Sequence, residues 1–101
     1  MATIFQKKVW QKCKKIPSGK ITTYRLLAKA VNESKAGRAV GQALNKNPYA
    51  PKVPCHRVVK SDGTIGGFAA GKKKKRRILR KEGIVIKGNK ITAFKKYLYR
   101  Y

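Results

Sequence analysis

The sequence predicts a small, mainly α-helical domain that contains a helix-turn-helix and a small β-hairpin, a winged-helix-like fold. Apolar residues recur at helical spacing in three successive segments of the first half, and a tight turn separates the second segment from the third. Later in the chain, Gly88-Asn89 lies between two short runs that contain Ile and Val, as in a hairpin. The 101 residues suffice for one domain with a modest core, so we expect a single domain over 1–101.

The first helix is expected over residues 3–15. Thr3 and Gln6 have the spacing of a capping box, and Phe5, Val9 and Cys13 then recur every four residues. We therefore expect Cys13 to be a core residue. The sequence Pro-Ser-Gly-Lys at 17–20 predicts the turn that ends this segment.

The second and third helices follow a short extended segment at 21–23. The apolar side of the second helix comprises Tyr24, Leu27, Ala28 and Val31. The third is expected over Ala36–Leu44, with Val40, Ala43 and Leu44 available for the core. Two short helices joined by a turn at 32–35 outline a helix-turn-helix, in which the second helix lies against DNA. Periodicity alone fits any small helical hairpin and favours that broader interpretation.

The segment 47–54 contains three prolines and cannot be helical, so it is expected to be a rigid extended connection to Cys55. Val58-Val59 predicts a short strand, and residues 61–63 a turn. The stretch 63–71 is rich in Gly and small residues, which suits either close approach to a ligand or a plain flexible loop.

A basic helix is expected over Lys72–Lys81, which carries eight cations around Ile78 and Leu79. Gly83 is a predicted C′ residue, whereas Glu82 lies at the unfavourable end of the helix dipole. We expect another group to hold Glu82 there, the alternative being a surface carboxylate among lysines. The runs 84–86 and 90–92 predict the hairpin, and the tail 94–101 is either helical or frayed.

The charge pattern indicates a polyanionic partner. Lys and Arg number 27 against three acidic residues, a formal charge of +24. Such self-repulsion favours nucleic acid as the partner, with an anionic membrane surface a distant second. No apolar run is long enough to span a membrane, and the first residues lack the apolar stretch of a signal peptide, so a cytoplasmic location is expected, or a nuclear one in a eukaryote. Two cysteines and one histidine are too few for a four-ligand zinc site, so we expect no metal and no cofactor.

The most informative motif is Pro54-Cys55-His56-Arg57-Val58-Val59, which joins the single histidine to one of the two cysteines. A thiol attacks as the thiolate, and with an ordinary pKa of roughly 8.5 it needs a neighbouring base at neutral pH. Adjacent residues do not face each other on a helix, so if this turn is helical a water is expected to relay the contact between Cys55 and His56. A Cys-His pair alone more often marks a buried thiol beside a hydrogen-bonded imidazole.

The motif stands in a longer series of strings, which in chain order are Arg38-Ala39-Val40-Gly41, Asn47-Pro48, the motif above, Gly66, Phe68 and Glu82-Gly83. Together these strings resemble the C-terminal domain of the O6-alkylguanine-DNA alkyltransferases. Thr23-Tyr24 matches as well. The resemblance covers roughly Phe5 to Gly83. It implies direct, irreversible transfer of an alkyl group from O6-alkylguanine in double-stranded DNA to a cysteine. The protein would act as a monomer that binds the minor groove, and neither a cofactor nor a membrane would take part.

The resemblance implies specific roles. Cys55 would be the nucleophile, His56 the base acting through a water, Glu82 the group that orients His56 and stabilises its charged form, and Asn47 a brace for the Cys55 turn. The carbonyls of Cys55 and Val58 and the amide of Ala69 would contact the guanine edge. The pocket would be formed by Val58, Phe68, Ala69, Leu44 and Gly66.

The resemblance also implies a DNA interface. Tyr24 would press on a phosphate and hydrogen-bond the flipped base, and Arg38 would fill the gap in the base stack. A small face made by Gly37, Ala39 and Gly41 would let the third helix enter the minor groove. Lys73, Lys74 and Arg77 are expected to contact the phosphate backbone.

The sequence departs from the family in three ways. Most members carry an N-terminal domain that this chain is expected to lack. Phe68 stands where many have Tyr, and Ala69 where many have Ser. The single-domain alkyltransferase-like proteins bind alkylated bases without repair and have another residue in place of the cysteine, so Cys55 argues against that branch. A damage-binding protein without transfer and a basic architectural binder remain the alternatives to repair.

Overall fold

The computed structural model describes residues 2–33, 35–49, 52–68 and 71–101. Four α-helices and four short strands follow one another along these ranges. In chain order they are α1 (Ile4–Lys14), β1 (Thr22–Thr23), α2 (Tyr24–Ala30), α3 (Gly37–Asn45), β2 (Val58–Val59), α4 (Lys72–Lys81), β3 (Ile86–Lys87) and β4 (Lys90–Ile91). Two 3₁₀ turns complete the fold, at Cys55–Arg57 and Phe94–Tyr97. The predicted turn at 32–35 and connection at 47–54 include Ser34, Ala50 and Pro51, which lie outside the described residues.

The capping box at the start of α1 is confirmed. Thr3 Oγ1 accepts a hydrogen bond from the Gln6 amide at 3.0 Å, and Gln6 Oε1 accepts one from the Thr3 amide at 2.9 Å. Both bonds satisfy amides that have no partner inside the helix. The apolar stripe of α1 is buried, and Trp10 Nε1 donates to the carbonyl of Ala43 at 2.8 Å. This bond fixes α1 against α3.

Helices α2 and α3 form the predicted helix-turn-helix. Thr23 ends β1 and also caps α2, because its Oγ1 accepts a hydrogen bond from the Leu26 amide at 3.0 Å. Leu27 and Ala28 of α2 pack with the buried side of α3 in one core cluster that also contains the apolar stripe of α1. The fold is thus mainly α-helical with a helix-turn-helix and a small hairpin, as expected.

A short parallel pair of strands places the candidate site. Thr22 lies opposite Val58 and Thr23 opposite Val59, so β1 and β2 run side by side in the same direction. The chain leaves β1 directly into Tyr24 and enters β2 directly from the Cys55 turn. The parallel register therefore brings Tyr24 and Cys55 together, although they are far apart in sequence.

The second core cluster lies under α4, the hairpin and the C-terminal tail. Strands β3 and β4 pair antiparallel around Gly88-Asn89, so the predicted hairpin is confirmed, with shorter strands. Gly83 has φ of 92°, the left-handed conformation expected of a C′ residue. The tail is not frayed, because the Ile21 amide donates to Tyr97 at 2.9 Å and the Tyr99 amide donates to Ile21 at 2.7 Å.

None of the helices within the described ranges has the length and apolar character that crossing a bilayer requires.

Candidate active site

Cys55 lies at the start of a 3₁₀ turn and borders a cavity of about 220 Å³. The thiol is half-buried. The cavity is smaller than the roughly 300–1,000 Å³ of pockets for drug-sized ligands, so it suits a single base better than a larger molecule. Three of the residues expected at the site, Tyr24, Gly41 and Leu44, line it with Cys55; the other lining residues are Asn45, Lys60 and Gly67.

The residue after Cys55, His56, has a buried imidazole that is hydrogen-bonded to a carboxylate. His56 Nε2 is 3.1 Å from Glu82 Oε1. Because a carboxylate only accepts, Nε2 carries the proton and the neutral ring has its lone pair at Nδ1. Within the described ranges no hydrogen bond joins the Cys55 thiol to this ring. The pair therefore has no direct hydrogen bond for proton transfer, and the relay through a water stays a prediction.

Glu82 stabilises the charged form of His56, but burial of the ring has the larger effect. Burial lowers the pKa of His56 below 6.5, and the hydrogen bond and charge of Glu82 offset this only in part. The nearby cations Arg57 and Lys75 lower the pKa further. The net result is an imidazole that is neutral at neutral pH, the form that can accept a proton.

Arg57 explains how Glu82 is held at its unfavourable helix end. Its Nε lies 3.0 Å from Glu82 Oε1 and 3.2 Å from Oε2, its Nη2 also bonds to Oε2, and its Nη1 donates to the carbonyl of Ile16 at 2.7 Å. Burial alone would raise the pKa of Glu82, but the hydrogen bonds from Arg57 and His56 bring it below its ordinary value. Glu82 is therefore an ionised, fixed partner of His56.

Asn47 braces the backbone that leads to Cys55. Its Nδ2 donates to the Val53 carbonyl at 2.8 Å, and its Oδ1 accepts from the Tyr49 amide at 2.9 Å. Both ends of the amide are thus used, and they link the end of α3 to the residues just before the Cys55 turn. The bracing role of Asn47 stays a prediction, and these two hydrogen bonds are its structural basis.

Lys75 is a fully buried cation beside the same cavity. Its Nζ donates to the carbonyls of Val58 at 2.7 Å and Gly67 at 3.1 Å and lies 5.8 Å from the centroid of the Tyr24 ring. Burial lowers the pKa of Lys75 to about 8, and electrostatic interaction with Cys55 partly opposes that shift. The ammonium thus fastens β2 and the Gly67 loop to α4 close to the thiol.

The second cysteine, Cys13, is in a different environment. It is fully buried on α1, and burial raises the pKa of its thiol to about 12. A thiol of that kind stays protonated and inert at neutral pH. The expectation that Cys13 is a core residue is confirmed.

The small residues of α3 do not share one face. At 100° per residue, Gly37 and Gly41 lie one turn apart on one side, whereas Ala39 lies across the exposed ridge of Arg38 and Gln42. An added Cβ at Gly41 would lie 3.9 Å from the Tyr24 ring, and one at Gly37 would have no heavy atom within 4 Å. Packing inside the described chain does not require these glycines, so their small size leaves room for a partner.

Three other residues predicted for the pocket, Val58, Gly66 and Phe68, are not among the residues that line the cavity. Gly66 has φ of 73°, and an added Cβ would lie 3.3 Å from Tyr24 Oη, so glycine is required there. Val58 is fully buried, and its carbonyl already accepts from Lys75, which leaves one lone pair for a ligand. Phe68 is half-buried, and Ala69 lies outside the described residues.

The cations expected to contact the backbone do not line this cavity. Lys73, Lys74 and Arg77 are exposed on α4, and Lys73 and Arg77 border a separate groove. A larger cavity of about 610 Å³ lies between α2 and the C-terminal tail. Its lining includes Arg25 and Lys29 but neither a thiol nor an imidazole, so chemistry rather than size identifies the Cys55 cavity as the candidate site.

Two residues of the site were not predicted from the sequence. Arg57 stands inside the Cys-His motif, but its partners become visible only when the Glu82 end of α4 packs against the Cys55 turn. Lys75 stands four residues before Leu79, in phase with the buried side of α4. This four-residue spacing from Leu79 is the sequence signal for a buried lysine. It cannot be recognised easily because most neighbouring positions of α4 are also cations.

Comparison with known proteins places this arrangement in a family. A family profile described as "6-O-methylguanine DNA methyltransferase, DNA binding domain" matches residues 4–84. The methylated-DNA–protein-cysteine methyltransferase of Methanosarcina acetivorans is 48% identical over 81 residues, which cover 80% of this chain and 52% of that protein. The Haemophilus influenzae protein of the same name is 42% identical over 100 residues, covering 94% of this chain and 56% of the relative.

Comparison with solved structures gives the same family. Mycobacterium tuberculosis OGT in complex with DNA superposes with a TM-score of 0.79 at 39% identity, covering 81% of this chain and 51% of that one. S. pombe Atl1 in complex with damaged DNA containing O6-carboxymethylguanine superposes with a TM-score of 0.87 at 31% identity, and all of both chains is covered. The chain thus spans about half the length of the curated relatives it matches. On the family profile and these relatives together, the chain belongs to the 6-O-methylguanine DNA methyltransferase DNA-binding domain family.

Proposed function

We propose that this chain repairs DNA by moving an alkyl group from O6 of guanine to Cys55 Sγ, once per molecule. The observation that carries the proposal is the half-buried Cys55 thiol on a base-sized cavity, next to a neutral His56 that Glu82 and Arg57 hold in place. The family match and the names of the relatives point to the same chemistry. It is also the function that the resemblance to the alkyltransferase C-terminal domain implies.

The chemical step uses the groups in order. A water between His56 Nδ1 and the thiol takes the Cys55 proton, and the imidazole accepts one in turn. The thiolate sulfur attacks the alkyl carbon, so a carbon–sulfur bond forms while the carbon–O6 bond breaks. The guanine leaves with the electron pair of that bond and takes up one proton. Because the thioether is stable, the protein is consumed in the reaction.

Electrostatics favours this step in the free protein. Lys75 lies close enough to Cys55 for their charges to interact, and its ammonium attracts a thiolate. Burial and then the charge of Cys55 raise the pKa of Tyr24, so its hydroxyl remains a hydrogen-bond donor to a base. Arg57 and Glu82 together restrain the imidazole without adding net charge beside it.

A base inside a duplex cannot reach Cys55, so the proposed substrate must be flipped out of the helix. The exposed ridge of α3, with Arg38 at its start, would enter the minor groove with Arg38 in the vacated stack. Gly37, Gly41 and Ala39 at the two sides of this ridge keep the helix narrow. Asn47 supports the Cys55 turn from the end of the same helix.

The second candidate function is recognition of alkylated DNA without transfer. It is favoured by the match to S. pombe Atl1, which is covered over its full length by this chain. The two functions make different predictions for one measurement. After incubation with an O6-methylguanine duplex, transfer adds one methyl group to the intact mass, located on Cys55 by peptide mapping. Cys55→Ala should bind the duplex and gain no mass, whereas Cys13→Ala should react like the parent. Tight binding of the parent without any mass gain would establish the second function.

A further inference from the structure

Helix α4 carries cations on two opposite sides. Lys75 is buried and donates to the carbonyls of Val58 and Gly67, and Gly67 lines the Cys55 cavity. At 100° per residue, the opposite side of the helix carries four other cations, which we call the α4 stripe. The stripe consists of Lys73, Arg77, Arg80 and Lys81. With Arg76 it lines a groove of about 530 Å³. This basic surface faces away from the Cys55 cavity.

Two of the guanidinium groups at this groove are held by the hairpin. Arg76 Nη1 donates to Asn89 Oδ1 at 2.9 Å and to the Gly88 carbonyl at 3.3 Å. Arg80 Nη2 donates to the Ile86 carbonyl at 3.0 Å. These bonds use some of the N–H groups of each guanidinium and fix its position. Less side-chain freedom is therefore lost when the remaining N–H groups bind an anion.

The protein itself does not compensate this charge. The first turn of α4 contains only lysines, which repel the positive end of the helix dipole, and the helix has no side-chain cap. Of the three acidic residues in the chain, Glu82 is bound to Arg57 and His56, Asp62 accepts from Thr64, and Glu33 follows α2. A helix with like charges one turn apart is stabilised when an anionic partner binds.

We propose that the α4 stripe binds the phosphate backbone of a second nucleic-acid duplex while a first duplex occupies α3 and the Cys55 cavity. The molecule measures 36 × 23 × 20 Å, and a duplex of about 16 base pairs is far shorter than the persistence length of about 150 base pairs. The stripe lies on the side of α4 opposite Lys75, whose ammonium bonds to Gly67 in the cavity lining, so a straight duplex seated over the cavity would not follow α4 round to the stripe. Only the assignment of the first duplex rests on the proposed function. The consequence is that one protein molecule bridges two duplexes.

Phosphate rather than a lipid surface fits the chemistry of the groove. Its lining consists of Lys and Arg, with no apolar side chain among the described residues that border it. A membrane-bound helix buries an apolar face next to its cations. Along α4, Leu79 is fully buried in the protein core and Ile78 is half-buried, so the stripe has no such face to insert.

Capture between two short duplexes tests the proposal. A 16-base-pair undamaged duplex is attached to beads, the full chain is added, and a fluorescent duplex of the same length is titrated over a salt series. The parent should capture the labelled duplex. Arg80→Gln/Lys81→Gln should weaken capture at least about tenfold and flatten its log–log salt slope by about 1.8, or roughly 0.9 per lost phosphate contact. Binding to the beads should change far less.

Matched variants show whether loss of capture comes from the α4 stripe itself or from the lower net charge of the protein. Lys81→Arg retains the cation and the Arg80 hydrogen bond and should capture as the parent does. Lys7→Gln/Lys8→Gln on α1 removes the same charge as the double variant elsewhere and should also capture normally. Lys81→Glu leaves the Arg80 hydrogen bond intact and should lose capture, which guards against unfolding of the double variant. Circular dichroism checks each fold.

Several outcomes would overturn the bridging proposal. Equal loss of capture in the α1 and α4 variants would reduce the effect to net charge. Capture that accompanies protein dimers in light scattering, or stronger α4-dependent binding to phosphatidylserine vesicles than to duplex, would also reject it. Methyl transfer is measured on the same samples by intact mass, so bridging without transfer would count against the proposed function alone, and transfer without bridging against this inference alone.

Discussion

The ammonium group of Lys75 lies 2.7 Å from the carbonyl oxygen of Val58 and is fully shielded from solvent. A buried cation persists where hydrogen bonds replace its lost hydration, and here the Val58 and Gly67 carbonyls supply them. The bond joins the strand that follows Cys55 to the helix that precedes Glu82. Lys75 is therefore a structural link across the site as well as a charge close to the thiol.

Replacing Lys75 with Met should change how stability depends on pH. The folded chain releases this proton near pH 8, whereas the unfolded chain holds it to about 10.5. Because the unfolded state binds more protons in this window, the group makes the parent gain stability as pH rises from 8 to 10.5, by up to about 3 kcal/mol. Urea unfolding at pH 8, 9 and 10 should show a smaller gain for the variant.

The same variant should transfer methyl groups more slowly at neutral pH, because the thiolate loses a neighbouring cation. Lys74→Met, at an exposed position on the same helix, is the matched control and should behave like the parent in the unfolding series. Identical pH dependence of stability in Lys75→Met and the parent would contradict the buried, perturbed ammonium.

Glu82→Gln should slow transfer by about ten- to a thousandfold, less than the roughly hundred- to ten-thousandfold contribution of a general base, because Glu82 only positions the base. The pKa of His56 is below 6.5, so the parent's rate should fall only when the pH drops through that lower value and the ring becomes protonated. Glu82 raises the pKa of His56, so its removal should move the acid limb of the profile to still lower pH. Single-turnover rates from pH 5 to 8 measure both effects.

Asp62→Asn provides the control for that experiment, because Asp62 is an exposed carboxylate in a turn. It should leave both the rate and the acid limb unchanged. If Glu82→Gln left the acid limb where the parent has it, Glu82 would have no influence on His56.

Arg38→Ala should slow transfer on duplex DNA at least about tenfold and leave transfer on single strands nearly unchanged. Arg38 is exposed at the start of α3, where it can replace a flipped base in the stack. An already unstacked substrate does not need that replacement. Transfer rates on duplex and single-stranded O6-methylguanine oligonucleotides test whether Arg38 replaces the flipped base. Lys8→Ala is the charge control. Equal loss on both substrates would exclude the role.

Two glycine substitutions should have opposite effects on stability. Gly66→Ala should destabilise the fold by about 1–2 kcal/mol, because φ is 73° and the new methyl group meets Tyr24 Oη at 3.3 Å. Gly41→Ala meets nothing closer than 3.9 Å and should stabilise α3 by up to about 1 kcal/mol. Thermal melts measure both. If Gly41→Ala melted below the parent, the space beside Tyr24 would be tighter than the structure shows.

The helices could be predicted from the sequence because their signals are local. The Thr3–Gln6 box, the four-residue apolar spacing of α1 and the C′ role of Gly83 depend on residues within one or two turns. The hairpin around Gly88-Asn89 is local in the same sense. The motif also predicts Cys55 and His56 as site residues, and the structure places Cys55 at the cavity and His56 beside Glu82.

The electrostatics of the site could not be predicted in the same way. Whether His56 is charged depends on burial, which outweighs Glu82, and on Arg57, which shares that carboxylate. The separate faces of Gly37 and Ala39 follow only from the phase of α3. The order of the C-terminal tail depends on pairing with Ile21, far away in the sequence.

The pairing of Thr22 with Val58 also has a kinetic consequence. It closes a loop that contains α2, α3 and the proline-rich connection, and such long-range closures form slowly because chain entropy is lost before contacts compensate it. The contacts between the neighbouring helices α2 and α3 are more local and can form earlier. Since Tyr24 and Cys55 flank the paired strands, the late folding event is also the one that assembles the cavity. A chain trapped before that event would be largely helical, yet would have no assembled cavity around its Cys55 thiol.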